Sequence, residues 1–345
     1  MKIRAAVTVS SAVVMAAAIV LSGCERTRSG GATPLRLGWQ APWANQGQVV
    51  EVLKNTDVLK RNDSVVDFRS FTYGGPMTEA ALAGQLDMLF VGDQPAITLM
   101  SRDANWRIVA RMVNYRSAIL VPMASPARTL RDLSGEKIAA AFGSTTHRDA
   151  VRIVDEAGLE VGKDIHFVSL DQAEHAGVIA RGGNRHWGDF AAIATYDPTV
   201  AVAVLGKQAR ILIEWASPGV VVVSKTALDA RTDDLRRFLG AYIEAFSIYA
   251  QNPNHFDALY EIDSRLPLSP PIYRMMAAYE PNLSVTDPSK ISISIDAAQK
   301  VVYQRNADIA MRIGIIKQRV DIAAQLDSSL AEAAMEAERG RNAKK

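Results

Sequence analysis

Cysteine is almost missing from this chain: Cys24 is the single one in 345 residues, so no disulfide can form within it. Histidine is nearly as scarce, and His147, His166, His175, His186 and His255 lack the spacing of metal ligands, so no metal site is expected. The chain holds no Gly-x-Ser-x-Gly, His-Glu-x-x-His or Walker sequence, which removes the sequence grounds for a serine hydrolase, a zinc peptidase or a nucleotide-binding enzyme. It lacks a surplus of either charge and, after its first residues, a second apolar run long enough to span a membrane.

What is present begins with a leader. Met1, Lys2, Ile3 and Arg4 form a basic start, residues 5–21 are apolar, and Leu21-Ser22-Gly23-Cys24 follows. This is the plan of a signal peptide over residues 1–23, with Cys24 where a bacterial lipoprotein is cut and lipidated. Residues 24–33, rich in Arg, Ser and Gly, then form a flexible tether. The expected place is the periplasmic side of the bacterial cell envelope, anchored to a membrane through Cys24. Loss of Lys2 and Arg4 with the leader leaves 37 basic against 37 acidic residues, and nucleic acid is not expected as a partner.

With 48% hydrophobic and 22% charged residues, the remainder is globular and large enough for two cores. Its organising stretch is FTYGGPMTEAALAGQLDMLFVGDQPAITLM, residues 71–100. Gly74-Gly75-Pro76 ends a strand and opens a helix. Gly84 closes that helix, residues 86–91 form a short buried strand, and Gly92-Asp93-Gln94-Pro95 opens a second helix. Backbone amides at a helix start suit an anion, and in an open α/β sheet such turns meet in one crevice.

Elsewhere the pattern repeats without a repeated sequence. Strands are predicted at 34–39, 65–71, 106–113, 117–122, 137–142, 166–170, 190–194, 210–215 and 219–224. Helices are predicted at 49–59, 148–157, 171–181 and 232–250, with further helices to about residue 330. The segments at 40–47, 143–147, 182–188 and 195–198 are predicted to be polar loops. The architecture expected is α/β with two lobes, one of residues 34–116 and 219–330 and the other of 117–218. They are joined by two extended crossings near Ser117 and Gly219, and residues 331–345 form a charged tail that frays.

The order Phe71, Gly75-Pro76, Glu79-Ala80, Leu82-Ala83-Gly84, Asp87, Gly92-Asp93 and Pro95 resembles the periplasmic substrate-binding proteins of ABC importers for aliphatic sulfonates, taurine and nitrate. So do Leu120-Val121-Pro122, Asp132-Leu133, Gly135-Glu136-Lys137-Ile138-Ala139, Gly143-Ser144 with His147, Tyr196-Asp197-Pro198 and Gly314-Ile315-Ile316-Lys317. The resemblance covers residues 34–330. It implies a type II periplasmic-binding-protein fold whose lobes close on a small ligand and then dock on a permease with its ATPase, with no catalysis and no cofactor.

Binding positions implied by the resemblance fall at Gln40 and Asn45, Gly74 and Gly75, Asp93, Ser144 and Thr145, and Asp197. Trp39, Trp43, Tyr73, Tyr196 and Trp215 are candidate aromatic walls. Helix starts favour an anionic group, whereas Asp93 and Asp197 beside aromatics favour a cationic one, so an anionic or zwitterionic molecule, taurine-like or alkanesulfonate-like, is expected. Two departures from the family pattern are Tyr73, where a small residue is common, and the loop 182–188 carrying Arg185, His186 and Trp187. The alternative is a lipid-anchored sensor, or a binding protein for an aminophosphonate, nitrate or an aromatic or pyrimidine ligand. A monomer is expected.

Overall fold

The computed structural model describes residues 33–342. The leader, Cys24 and most of the tether lie outside the described residues. From Pro34 onward the chain is one compact unit.

The elements run in this order: β1 Leu35–Gln40, α1 Ala44–Asn55, α2 Val58–Arg61, β2 Val66–Phe71, α3 Gly74–Leu82, β3 Met88–Gly92, α4 Asp93–Arg102 and β4 Trp106–Pro122. They continue with β5 Glu136–Ala140, α5 Thr145–Glu156, β6 Ile165–Ser169, α6 Gln172–Ala180, β7 Ala192–Tyr196, α7 Thr199–Leu205 and β8 Ala209–Ser224. Helices close the chain: α8 Lys225–Ala230, α9 Thr232–Gln251, α10 Pro253–Ser264, α11 Pro270–Ala277, α12 Ala297–Arg312, α13 Ile322–Gln325 and α14 Ser329–Asn342.

One mixed sheet has the strand order β2-β1-β3-β8-β4-β7-β5-β6. It is two parallel trios, β2-β1-β3 and β7-β5-β6, joined through the antiparallel pair β4 and β8. Those two strands are long enough to serve both trios: β3 pairs with residues 219–223 of β8, and β7 with residues 117–120 of β4. Between these stretches the register slips from Arg111 to Asn114, opposite Pro218. A proline has no N–H for the ladder, so the sheet is irregular where it passes from one trio to the other. The sequence predicts four separate extended segments here; the structure joins them into two, because the slip interrupts pairing without ending either strand.

Apolar side chains fill both faces of each trio. Leu37, Phe90, Phe238 and Tyr242 pack under α1, α9 and α14 on one face of the first trio, and Leu89, Ile97 and Tyr303 fill the other. Ile138, Ala150 and Val154 lie on one face of the second trio, and Ile179, Ile193 and Val200 on the opposite one. A further cluster of Ala44, Ala201, Tyr260 and Met276 ties α1, α10 and α11 to α7.

Two expectations are corrected. The loop predicted over 40–47 is shorter, because α1 starts at Ala44, and buried Gln46 is held by donating its amide to the Phe90 carbonyl (3.1 Å). The tail predicted to fray is α14, with Leu330, Ala331, Ala334 and Met335 buried in the first core. Its exposed charges hide an apolar stripe at 330, 331, 334 and 335, the spacing of one helical face.

Candidate functional site

The carboxyl ends of β1, β2, β3, β5 and β7 face one cleft, because each feeds a turn that starts a helix. The cleft is lined by Gln40, Trp43, Tyr73, Gly74, Gly92, Pro95, Tyr115, Ser144, Thr145 and Tyr196, and its cavity volume is only about 10 Å³, room for about one water. None of these ten residues carries a formal charge. Helices α3 and α4 begin here with the caps Tyr73 and Gly92, neither making a side-chain cap bond, so the first α3 amides face the cleft without one. At α5 the Ser144 hydroxyl accepts from the His147 amide (3.1 Å).

Glycine is needed at two of these positions by closeness. A β-carbon on Gly92 would stand 2.5 Å from Thr145 Oγ1, and one on Gly74 would stand 2.3 Å from Pro95 Cγ. Three aromatics line one wall: Trp43 meets Tyr115 edge-on with ring centres 4.3 Å apart, and Tyr115 meets Tyr196 at 5.5 Å. Burial pushes the phenol pKa of Tyr115 and of Tyr196 well up, so both stay neutral donors. Trp43 Nε1 is buried with no hydrogen-bond partner among the described residues. A buried donor left unmatched costs free energy.

The acids behind this wall are already engaged. Asp93 is fully buried: Oδ2 accepts from Arg148 Nη1 (2.8 Å) and Asn306 Nδ2 (2.7 Å), and Oδ1 from Thr145 Oγ1 (2.9 Å). Arg148 donates through Nη2 to Asp149 Oδ1 (2.8 Å), whose other oxygen accepts from Trp215 Nε1 (3.1 Å) and Ser217 Oγ (3.2 Å). Burial pushes the Asp93 carboxyl up against the pull of Arg148, while Asp149 and Asp93 together hold the Arg148 guanidinium charged despite its burial. Asp197 pairs with Arg116 (2.9 Å) and caps α7 by accepting from the Ala201 amide (3.0 Å).

Of the residues singled out in the sequence, Gln40, Trp43, Tyr73, Gly74, Ser144, Thr145 and Tyr196 come together in the cleft lining. Gly75, the next residue of the α3 turn, is not part of that lining. Trp39 sits in the core with Lys54 over its ring, and the Asn45 amide donates to the carbonyls of Asn114 (3.2 Å) and Met276 (3.3 Å). Trp215 turns to Asp149. Tyr115 and Arg148 were missed: Tyr115 lies between Asn114 and Arg116, in the gap between the extended segments predicted at 106–113 and 117–122, and Arg148 looks like a surface charge in a helix whose spacing alone does not show which face is buried.

Among the described residues no group of His, Cys, Asp or Glu is placed to hold a metal ion. The arrangement sets neutral donors and an aromatic wall around a cleft that must open to admit anything larger than a water.

Residues 60–250 match the family model "ABC transporter, phosphonate, periplasmic substrate-binding protein". A protein of Escherichia coli (strain K12) named for aliphatic sulfonate binding is 30% identical over 183 residues, 52% of this chain and 54% of that protein. The taurine-binding periplasmic protein of the same organism is 23% identical over 206 residues, 56% of this chain and 61% of it. The chain thus matches a little over half the length of these curated relatives. The alkanesulfonate-binding protein SsuA from Xanthomonas axonopodis pv. citri, solved bound to MOPS, superposes with a TM-score of 0.69 at 22% identity. That match covers 85% of this chain and 97% of the solved one, and it shows a shared fold.

Proposed function

This chain belongs to the ABC-transporter, phosphonate, periplasmic substrate-binding protein family, and we propose that it captures a small organic oxyanion of the sulfonate class for an ABC importer. The observation that carries this is the cleft itself: neutral donors, an unmatched Trp43 indole N–H and uncapped α3 amides, with no charged side chain in the lining. A buried anion without a cationic partner is held by such donors only if its charge is low. A sulfonate carries one negative charge, whereas a phosphonate can carry two. The names of the sulfonate-binding and taurine-binding relatives support the same class.

The amino group of a taurine-like ligand would need a free carboxylate, and Asp93 and Asp197 are both occupied by arginine. The ligand contacts in this reading are Gln40, Trp43, Tyr73, Gly74, Ser144, Thr145 and Tyr196, with Tyr115 added. Residues 34–116 with 219–330 act as one lobe and 117–218 as the other, closing about the slip in β4 and β8. The closed form is delivered to a permease with its ATPase, with no covalent step. The protein works as a monomer on the periplasmic side, tethered through lipid on Cys24.

A thermal-shift comparison tests this. Ethanesulfonate should raise the melting temperature in a concentration-dependent way, because a ligand bound only by the native state stabilises it. No shift with any of ethanesulfonate, ethylphosphonate, taurine or nitrate would overturn the reading.

A further inference from the structure

The cleft is shut down to about 10 Å³, and side chains directly behind its lining bond across it. On the division into lobes given above, Asp93 and Asn306 belong to one lobe, and Thr145, Arg148, Asp149, Trp215 and Ser217 to the other. Arg148 Nη1 donates across to Asp93 Oδ2 (2.8 Å) and Thr145 Oγ1 to Asp93 Oδ1 (2.9 Å), while the Gln94 amide donates back to Thr145 Oγ1 (3.1 Å). Thr145 is itself part of the lining, so the ion pair stands one hydrogen bond behind it.

Within its own lobe each charge keeps a second attachment. Asp93 Oδ2 also accepts from Asn306 Nδ2 (2.7 Å), and Arg148 also donates to Asp149 (2.8 Å), which Trp215 and Ser217 tie to β8. A buried charge stripped of its only partner is strongly destabilising. Parting the lobes strips neither, so this contact can break and form again. Farther out, α12 reaches α5 through Arg312 to Asp155 (2.8 Å) and Arg305 to Glu156 (3.3 Å). Those side chains are exposed, and solvent leaves such pairs little net effect.

We propose that Arg148 and Asp93 are positioning residues for ligand capture: they pair only when the lobes are together, and through Thr145 they set the closed cleft. Affinity then depends on a contact that no ligand touches. This rests on the reading that two lobes close on an oxyanion. Pairing shifts the population toward the closed form, and a ligand that needs that form binds in proportion to its share. The acid does not serve by its charge: Asp93 and Asp149 with Arg148 sum to one formal negative charge, which alone repels an anion.

Hydrogen exchange and calorimetry on the purified chain and its variants Asp93→Asn and Arg148→Lys test the proposal. Asp93→Asn keeps the shape and removes the charge that crosses between lobes; Arg148→Lys keeps the charge and lacks the fork that reaches both acids. Exchange times are kept short enough that β1 and α9 of the parent stay unlabelled. Without added ligand, amides of residues 92–96 and 143–148 should then exchange several-fold faster in both variants, with β1 and α9 still unlabelled. Ethanesulfonate should bind both variants roughly tenfold more weakly, following the smaller share of closed form. A purely electrostatic role for Asp93 predicts the opposite, tighter binding of the anion by Asp93→Asn. Tighter or unchanged binding by Asp93→Asn would overturn the proposal, as would unchanged exchange in the cleft segments of both variants or early labelling throughout the chain. A parent chain that does not bind ethanesulfonate would overturn the oxyanion reading, and the exchange comparison, which needs no ligand, would still decide whether the pair closes the lobes.

Discussion

Arg148 and Asp93 form a buried ion pair (2.8 Å) between α5 and α4, helices that follow strands of the two different trios. Neither side chain is exposed to solvent, and Asp149, Asn306 and Thr145 complete the set of partners. The pair therefore links the two sides of the cleft behind its lining.

Removing the cation should be far more damaging than neutralising one acid. Arg148→Ala leaves Asp93 and Asp149 buried without their counter-charge, and breaking such a pair costs about 3–5 kcal/mol. Asp93→Asn should cost clearly less, because Arg148 keeps Asp149 (2.8 Å). Urea unfolding of the two variants gives the comparison. Equal costs would mean that the pair does not act as described.

The cleft should tolerate no side chain at Gly92. Gly92→Val places atoms where Thr145 Oγ1 now lies 2.5 Å from a β-carbon position. The strand conformation there suits valine, so the chain should fold while ethanesulfonate binding falls by more than about tenfold, the loss expected when about 1.4 kcal/mol is removed. Calorimetry with a circular-dichroism control separates loss of binding from loss of fold.

Acid should weaken the fold through two buried imidazoles. Burial lowers the pKa of His147 and of His175 to about 4, from an ordinary value of 6.5. The unfolded chain therefore takes up protons that the folded one refuses, so stability is full above pH 6.5 and is lost as pH falls from about 6.5 towards about 4. The loss reaches on the order of 3 kcal/mol per histidine at the lower end. His147 stacks on Phe142 at 4.3 Å and its Nδ1 has no partner among the described residues, so His147→Phe should flatten the slope of stability against pH in this window. An unchanged slope would contradict the assignment.

Truncation before α14 should be costly. Leu330, Ala331, Ala334 and Met335 are buried in the first core, and Arg341 binds Glu244 (2.9 Å) on α9. A chain ending at residue 328 should lose several degrees of melting temperature, since each large buried apolar side chain contributes about 1.5–3 kcal/mol. No change would show that the helix adds nothing to the fold.

The sequence made much of this legible, and the limits have physical causes. Gly92 and Gly74 were readable because a turn between a buried strand and a helix leaves few residue types possible. The central strands β3 and β7 are readable as near-continuous apolar runs, whereas the edge strands β2 and β6 carry polar residues such as Asp67, Arg69 and His166. Tyr115 is hidden because it stands between Asn114 and Arg116 beside the register slip, where the strand pattern that would assign its face is broken. Arg148 was hidden because its partner Asp93 lies 55 residues away in the chain. The helix of the tail is hidden because its charged composition masks the apolar spacing at 330, 331, 334 and 335.

Charge selectivity decides whether the cleft binds by neutral donors alone. Ethanesulfonate and ethylphosphonate, matched in size, should be titrated calorimetrically against the purified chain at several pH values. Ethanesulfonate should bind one-to-one with an affinity insensitive to pH near neutrality. Ethylphosphonate should bind more weakly, and its binding should strengthen as acidification leaves it with a single charge, because the cleft offers neutral donors and no cation. Tighter binding of the doubly charged phosphonate, or no binding of either, would contradict binding by neutral donors.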